Sequence, residues 1–199
     1  MQNEIKKLYK KIEKLLISMI PENWKSIYLY ASVIDGKSGE MYFYYFPKKF
    51  IKTNPINCYD IPNKFLVNEN AYNKSLQKLY SYIKSLNQIT SPKWTNITIN
   101  IQNDFFTIEY HFDNLVLSKY SDEERRIWWC YKNLKIPKES LTEKQRALIE
   151  KYKECEAQEP IIYTEWIEKN YEKTENAQIN NDDNLYEEVQ KDIKNQILK

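Results

Sequence analysis

The sequence predicts an α+β fold, with a four-stranded antiparallel sheet made of two β-hairpins packed against N-terminal and central helices, and further helices toward the C-terminus. Two hairpin patterns and the helical periodicity around them carry that expectation. From Trp24 the apolar period is two. Ile27, Leu29, Ala31 and Val33 alternate with Tyr28, Tyr30 and Ser32, and Met41, Phe43 and Tyr45 then alternate with Tyr42, Tyr44 and Phe46. Asp35-Gly36-Lys37-Ser38-Gly39 joins these runs and holds both glycines of the chain, as a five-residue hairpin loop requires. In the second hairpin Ile97, Ile99 and Ile101 alternate with polar residues, Gln102-Asn103-Asp104 turns, and Phe106, Ile108, Tyr110 and Phe112 share a face.

Helical spacing brackets the hairpins. Ile5, Leu8, Ile12, Leu15 and Met19 fall on one face of a first helix, with lysines around the other, and Pro21 closes it. Residues 47–67 hold three prolines and read as an irregular excursion with a short strand near Ile56–Asp60. Asn68 or Asn70 caps a helix to about Leu86, its face formed by Tyr72, Leu76, Leu79, Ile83 and Leu86. Ser121-x-x-Glu124 and Thr142-x-x-Gln145 fit the capping-box pattern, in which side chain and backbone satisfy each other's hydrogen bonds. They start helices carrying Ile127, Trp128, Tyr131 and Leu134, then Leu148, Ile149 and Tyr152. After Pro160, Ile162, Trp166 and Ile167 suggest a further short helix. Residues 173–184 read as a disordered linker, and Leu185, Val189, Ile193 and Ile197 as a marginal last helix. The chain thus divides into a domain over 1–156 and an acidic, helical or partly disordered extension over 157–199.

Composition narrows the function classes. The 199 residues are 15% aromatic, with 17 Tyr and 5 Trp, which supplies a core despite a mean hydropathy of -0.76. No apolar run approaches the ~20 residues that cross a bilayer, and no signal-peptide core follows the N-terminal lysines, so the expected location is the cytoplasm. Cys58, Cys130 and Cys155 are odd in number and widely spaced, which points to reduced thiols instead of a disulfide framework or metal site. Net charge is +2 but unevenly placed. Residues 156–199 hold 5 Lys and 11 Asp or Glu, a balance of −6, which leaves +8 on the rest.

No catalytic constellation stands out. With glycine only at 36 and 39, neither a phosphate-binding loop nor a dinucleotide fingerprint exists, and no cofactor is expected. The one histidine, His111, shares a strand face with Phe105, Thr107 and Glu109. It reads as a sheet-surface residue, since no nucleophile accompanies it. Asp122-Glu123-Glu124 sits where a helix dipole favours carboxylates, so a metal need not explain it. The basic body with interleaved tyrosines offers an alternative reading, a regulatory protein that binds nucleic acid, although the lysines are spread over every element. Trp128-Trp129 is more specific. Neighbours on a helix lie about 100° apart, so both rings cannot centre on one narrow stripe. Trp128 fits the buried stripe, and Trp129, on its flank beside Arg125 and Arg126, reads equally as a protein-binding anchor or as a ring packed under the C-terminal helices.

Taken in order, Glu22-Asn-Trp-Lys-Ser-Ile-Tyr-Leu-Tyr-Ala, Asp35-Gly36, Met41-Tyr-Phe-Tyr-Tyr, Tyr59-Asp-Ile-Pro62, Trp94-Thr-Asn-Ile-Thr, Phe106-Thr-Ile-Glu-Tyr110 and Glu124-Arg-Arg-Ile-Trp128 resemble the YezG-like immunity proteins, which include the EsaG-type antitoxins. The likeness runs from about Ile5 to Pro137. It departs at Glu109-Tyr110-His111-Phe112, where the family strand usually ends Asp-Tyr-x-Tyr, and residues beyond about 156 have no counterpart in it. The resemblance implies a cytoplasmic, non-enzymatic antitoxin of a Gram-positive bacterium. Its partner would be the C-terminal domain of a toxin exported by type VII secretion, commonly a nuclease, held by stoichiometric protein–protein contact. The toxin-binding residues expected from the sequence are Trp128, Trp129, Arg125, Asp122, Glu123 and Glu124.

Overall fold

The computed structural model describes residues 2–34, 39–49, 53–102, 105–156 and 163–168. Its elements are α1 (Gln2–Ser18), β1 (Trp24–Ser32), β2 (Met41–Pro47), β3 (Ile56–Asn57), α2 (Ile61–Phe65), α3 (Glu69–Ile89), β4 (Asn96–Gln102), β5 (Phe105–His111), α4 (Asp122–Leu134), α5 (Glu143–Glu156) and β6 (Tyr163–Glu168). The linker and last helix expected over 173–197 lie outside the described residues.

The two expected hairpins form, and β1 of the first pairs with β4 of the second. Leu29 lies opposite Phe43 on one side and Ile99 on the other. The sheet is nevertheless larger than the four strands expected. It has five strands of six residues or more and the two-residue β3, in the order β3-β2-β1-β4-β5-β6, every neighbouring pair antiparallel. Tyr163–Glu168 also forms a strand, where a short helix was expected after Pro160. β6 runs along β5 from Phe105 opposite Glu168 to Tyr110 opposite Tyr163. The reason is tertiary: without a neighbour, β5 would present unpaired backbone groups along a sheet edge, and β-branched and aromatic residues fit a pleated strand beside it.

Alternation sorts the side chains onto two faces. Ile27, Leu29, Phe43, Ile97, Ile99 and Ile108 are fully buried on the first. α1 reaches this face through Tyr9, whose hydroxyl bonds that of Tyr110 and whose ring lies 5.8 Å from Phe106. α1 itself buries Tyr9, Ile12, Leu15 and Leu16, close to the predicted face. α3 is capped by Asn68, whose side-chain oxygen accepts the Ala71 N–H at 3.0 Å. It is fastened to the first hairpin by the Tyr80 hydroxyl, which donates to the Ser32 carbonyl at 2.9 Å. Gly39 lies at that junction, and a Cβ there would collide with the Ser32 carbonyl and the Tyr80 hydroxyl.

Candidate functional site

The second sheet face is where the chain places its unusual residues. Antiparallel register lays Tyr42, Tyr30, Thr98 and Glu109 in one row across β2, β1, β4 and β5. Tyr30 and Tyr42 stack at 5.0 Å, and burial pushes the Tyr30 hydroxyl up to about 12, so it stays neutral.

α4 lies over this row, and Ser121 fixes where it begins. Glu124 N–H donates to Ser121 Oγ at 3.2 Å, and Ser121 N–H donates to Glu124 Oε2 at 2.9 Å, the reciprocal box expected. The bond from Ser121 holds the Glu124 carboxyl below its ordinary range. Thr142 and Gln145 make the same exchange where α5 starts. Within the first turn of α4, Arg125 pairs with Asp122 and donates from Nη1 to the Tyr120 carbonyl at 2.6 Å. The acidic turn thus holds the arginine against the loop that precedes the helix.

The two tryptophans exchange the places expected of them. Trp129, not Trp128, is buried at 7% exposure. Its ring packs on Tyr30, Tyr42 and Tyr44, and its indole N–H donates to Thr98 Oγ1 at 2.9 Å. Trp128 is half-buried and stacks at 5.2 Å on Tyr152 of α5, which in turn stacks at 3.9 Å on Tyr120. The helix has two partners, sheet and α5, and successive residues about 100° apart address one each. A single-stripe reading cannot anticipate that. Arg126, which the sequence places beside Trp129 but which is not among the expected toxin-binding residues, lies over the Tyr42 ring at 4.6 Å and donates to the Tyr44 hydroxyl at 3.0 Å. Its signal is visible only once the strand register puts both tyrosines on this face.

Beside Trp129 the sheet and helix do not close. A cavity of about 300 Å³ opens between Tyr30, Thr98, Glu109 and His111 of the sheet and Arg125, Trp128 and Lys132 of α4, with Tyr152 at its α5 side. The structure therefore gathers four of the six predicted residues into one neighbourhood: Trp128, Trp129 and Arg125 line the cavity, and Asp122 orients Arg125. Glu123 is exposed, and Glu124 serves the helix cap. Glu109 and His111 come within 3.7 Å. Burial lowers the affinity of His111 for a proton, an effect that Lys132 reinforces and Asp113 opposes, so the imidazole is neutral at pH 7. Among the described residues no cluster of His, Cys, Asp and Glu could hold a metal ion, and no helix is long and apolar enough to cross a membrane.

The model of the family described as "Immunity protein YezG-like" matches residues 5–150, and the chain belongs to that family. It is similar to "Immunity protein YezG" of Bacillus spizizenii (strain ATCC 23059 / NRRL B-14472 / W23), 32% identical over 64% of this chain and 80% of the relative. It is also similar to "Immunity protein YezG" of Bacillus subtilis (strain 168), 29% identical over 69% of this chain and 93% of that one.

Proposed function

We propose that this chain is an antitoxin that neutralises a cognate type VII-secreted toxin, a nuclease, by binding it stoichiometrically in the cytoplasm. The observation that carries this reading is the family match over residues 5–150, supported by two relatives bearing the name of an immunity protein. The interaction surface centres on the start of α4, with Trp128, Arg125 and the Asp122–Glu124 turn facing the toxin and Trp129 holding the helix to the sheet beneath them. Neutralisation of this kind needs an interface of roughly 1,200–2,000 Å² with a few aromatic or arginine anchors. The 1–156 domain supplies that surface, and the acidic extension over 157–199 is an accessory to it. No turnover is involved.

The test is a titration. The protein is co-expressed and co-purified with the C-terminal domain of the toxin encoded beside it, and residual toxin activity is measured against molar ratio. Occlusion gives an endpoint near one to one. Full protection at about one part in a hundred would refute stoichiometric binding and point to catalysis.

A further inference from the structure

The cavity beside Trp129 holds three polar atoms that are buried and without a hydrogen-bond partner: His111 Nε2, Arg125 Nε and the Tyr152 hydroxyl. Buried polar atoms are nearly always satisfied, so three on the wall of one cavity need an account. Each is held in place by contacts made elsewhere on the same side chain or its neighbours. Arg125 is clamped through its two terminal nitrogens by the Tyr120 carbonyl and Asp122, while its buried Nε has no acceptor. The Tyr152 ring is sandwiched between Tyr120 and Trp128. His111 is fixed by strand pairing with Asn96, and Glu109 Oε2, at 3.7 Å, is too far to accept from Nε2. Arginine Nε and a tyrosine hydroxyl can donate, as can the histidine nitrogen. The shared requirement is an acceptor. Three cationic side chains, Lys119, Arg125 and Lys132, also line the cavity against two carboxylates, Glu109 and Asp113. In the chain between the lining residues Leu115 and Ser118, Val116 and Leu117 are 55% and 80% exposed, apolar surface that suits a protein and not a free solute.

We propose that this cavity receives an acidic side chain, Asp or Glu, projected by the bound toxin, whose carboxylate accepts hydrogen bonds from Tyr152, Arg125 and His111 while its backbone covers Val116 and Leu117. This rests on the antitoxin reading and gives it a specific contact. The aromatic walls exclude water around the carboxylate, which strengthens each charge-assisted bond.

Tyr152→Phe tests it cleanly, because it removes one hydroxyl and keeps the ring stack. The free variant should melt no lower than the parent, since the deleted group has no partner there. Its complex with the toxin's C-terminal domain should dissociate about tenfold more readily, the weight of one hydrogen bond to a charged group. A second measurement uses His111, the one histidine of the chain, as a single ring resonance in a labelled antitoxin bound to unlabelled toxin. Glu109, Asp113 and Lys132 face it in the free protein, so the pH titration is run free and bound. A carboxylate arriving in the cavity raises the bound-state midpoint. If the parent binds toxin but Tyr152→Phe binds equally tightly and the His111 midpoint does not rise, the cavity proposal fails while the antitoxin reading stands. If the parent does not bind the toxin at all, the antitoxin reading itself fails.

Discussion

Trp129 on α4 donates its indole N–H to Thr98 on β4 at 2.9 Å, a buried bond that ties the helix to the sheet across 31 residues of chain. Thr98→Val keeps the shape of the acceptor side chain but leaves the indole N–H without a partner. Urea denaturation should show a loss of about 1–3 kcal/mol for that unsatisfied donor. Trp129→Ala should cost about 3–5 kcal/mol, because it also empties the space over Tyr30, Tyr42 and Tyr44. Equal, small effects from both would mean that α4 is not seated on the sheet as described.

His111 makes stability depend on pH in a definite direction. Its folded-state proton affinity is lowered, chiefly by burial, with Lys132 acting in the same sense and Asp113 against it. The unfolded chain, with a histidine pKa of about 6.5, therefore takes up the proton first as pH falls. The stability associated with the neutral ring is present above that value and declines below it. Melting temperature should drop between pH 7.5 and 5.5, and His111→Gln should make the drop shallower. Parallel melting curves for parent and variant would contradict a buried, neutral imidazole.

Truncation after Gln158 removes β6 and leaves β5 as the sheet edge. The helices α1 to α5 and five strands are complete by then, so cooperative melting should persist at a lower temperature, reflecting the lost β5–β6 ladder. Residues 159–199 hold 10 Asp or Glu against 5 Lys, so their loss should also move elution from heparin to higher salt. Non-cooperative melting would show that the domain extends through β6 and that a boundary at 156 is drawn too early.

Leu66 follows α2 in the left-handed region at φ 54° and is 79% exposed. A side chain there costs about 1–2 kcal/mol, which glycine avoids at an entropic cost of about 0.5–1 kcal/mol. Leu66→Gly should therefore raise stability by roughly 0.5 kcal/mol. A decrease measured by urea denaturation would mean that the leucine side chain contributes more than its exposure suggests.

Local signals were legible and tertiary ones were not. Alternation from Trp24 and from Ile97 located both hairpins, while Asn68, Ser121 and Thr142 located helix starts, because each acts over three or four residues. In the proline-rich excursion the strand near Ile56 was visible, but α2 at Ile61–Phe65 was too short for a periodic signal. Tyr163–Glu168 became a strand through the neighbouring edge of β5, which no local pattern contains. The cavity was half legible: Trp128, Trp129 and Arg125 were singled out from one helix. Tyr152 and His111 joined them only because α5 folds back over α4 and the register brings His111 opposite Asn96.

Gly39 has a consequence for descent. Where its missing side chain would stand, the Ser32 carbonyl and the Tyr80 hydroxyl already occupy the space, so the first hairpin and α3 meet through an absence. In any lineage that keeps this junction, that position is closed to the other nineteen amino acids. Substitution at 39 would have to be preceded by a shift of the hairpin, because the Ser32 carbonyl would meet a Cβ there whatever residue stood at position 80. The order in which those changes can accumulate is thus constrained by a single backbone carbonyl.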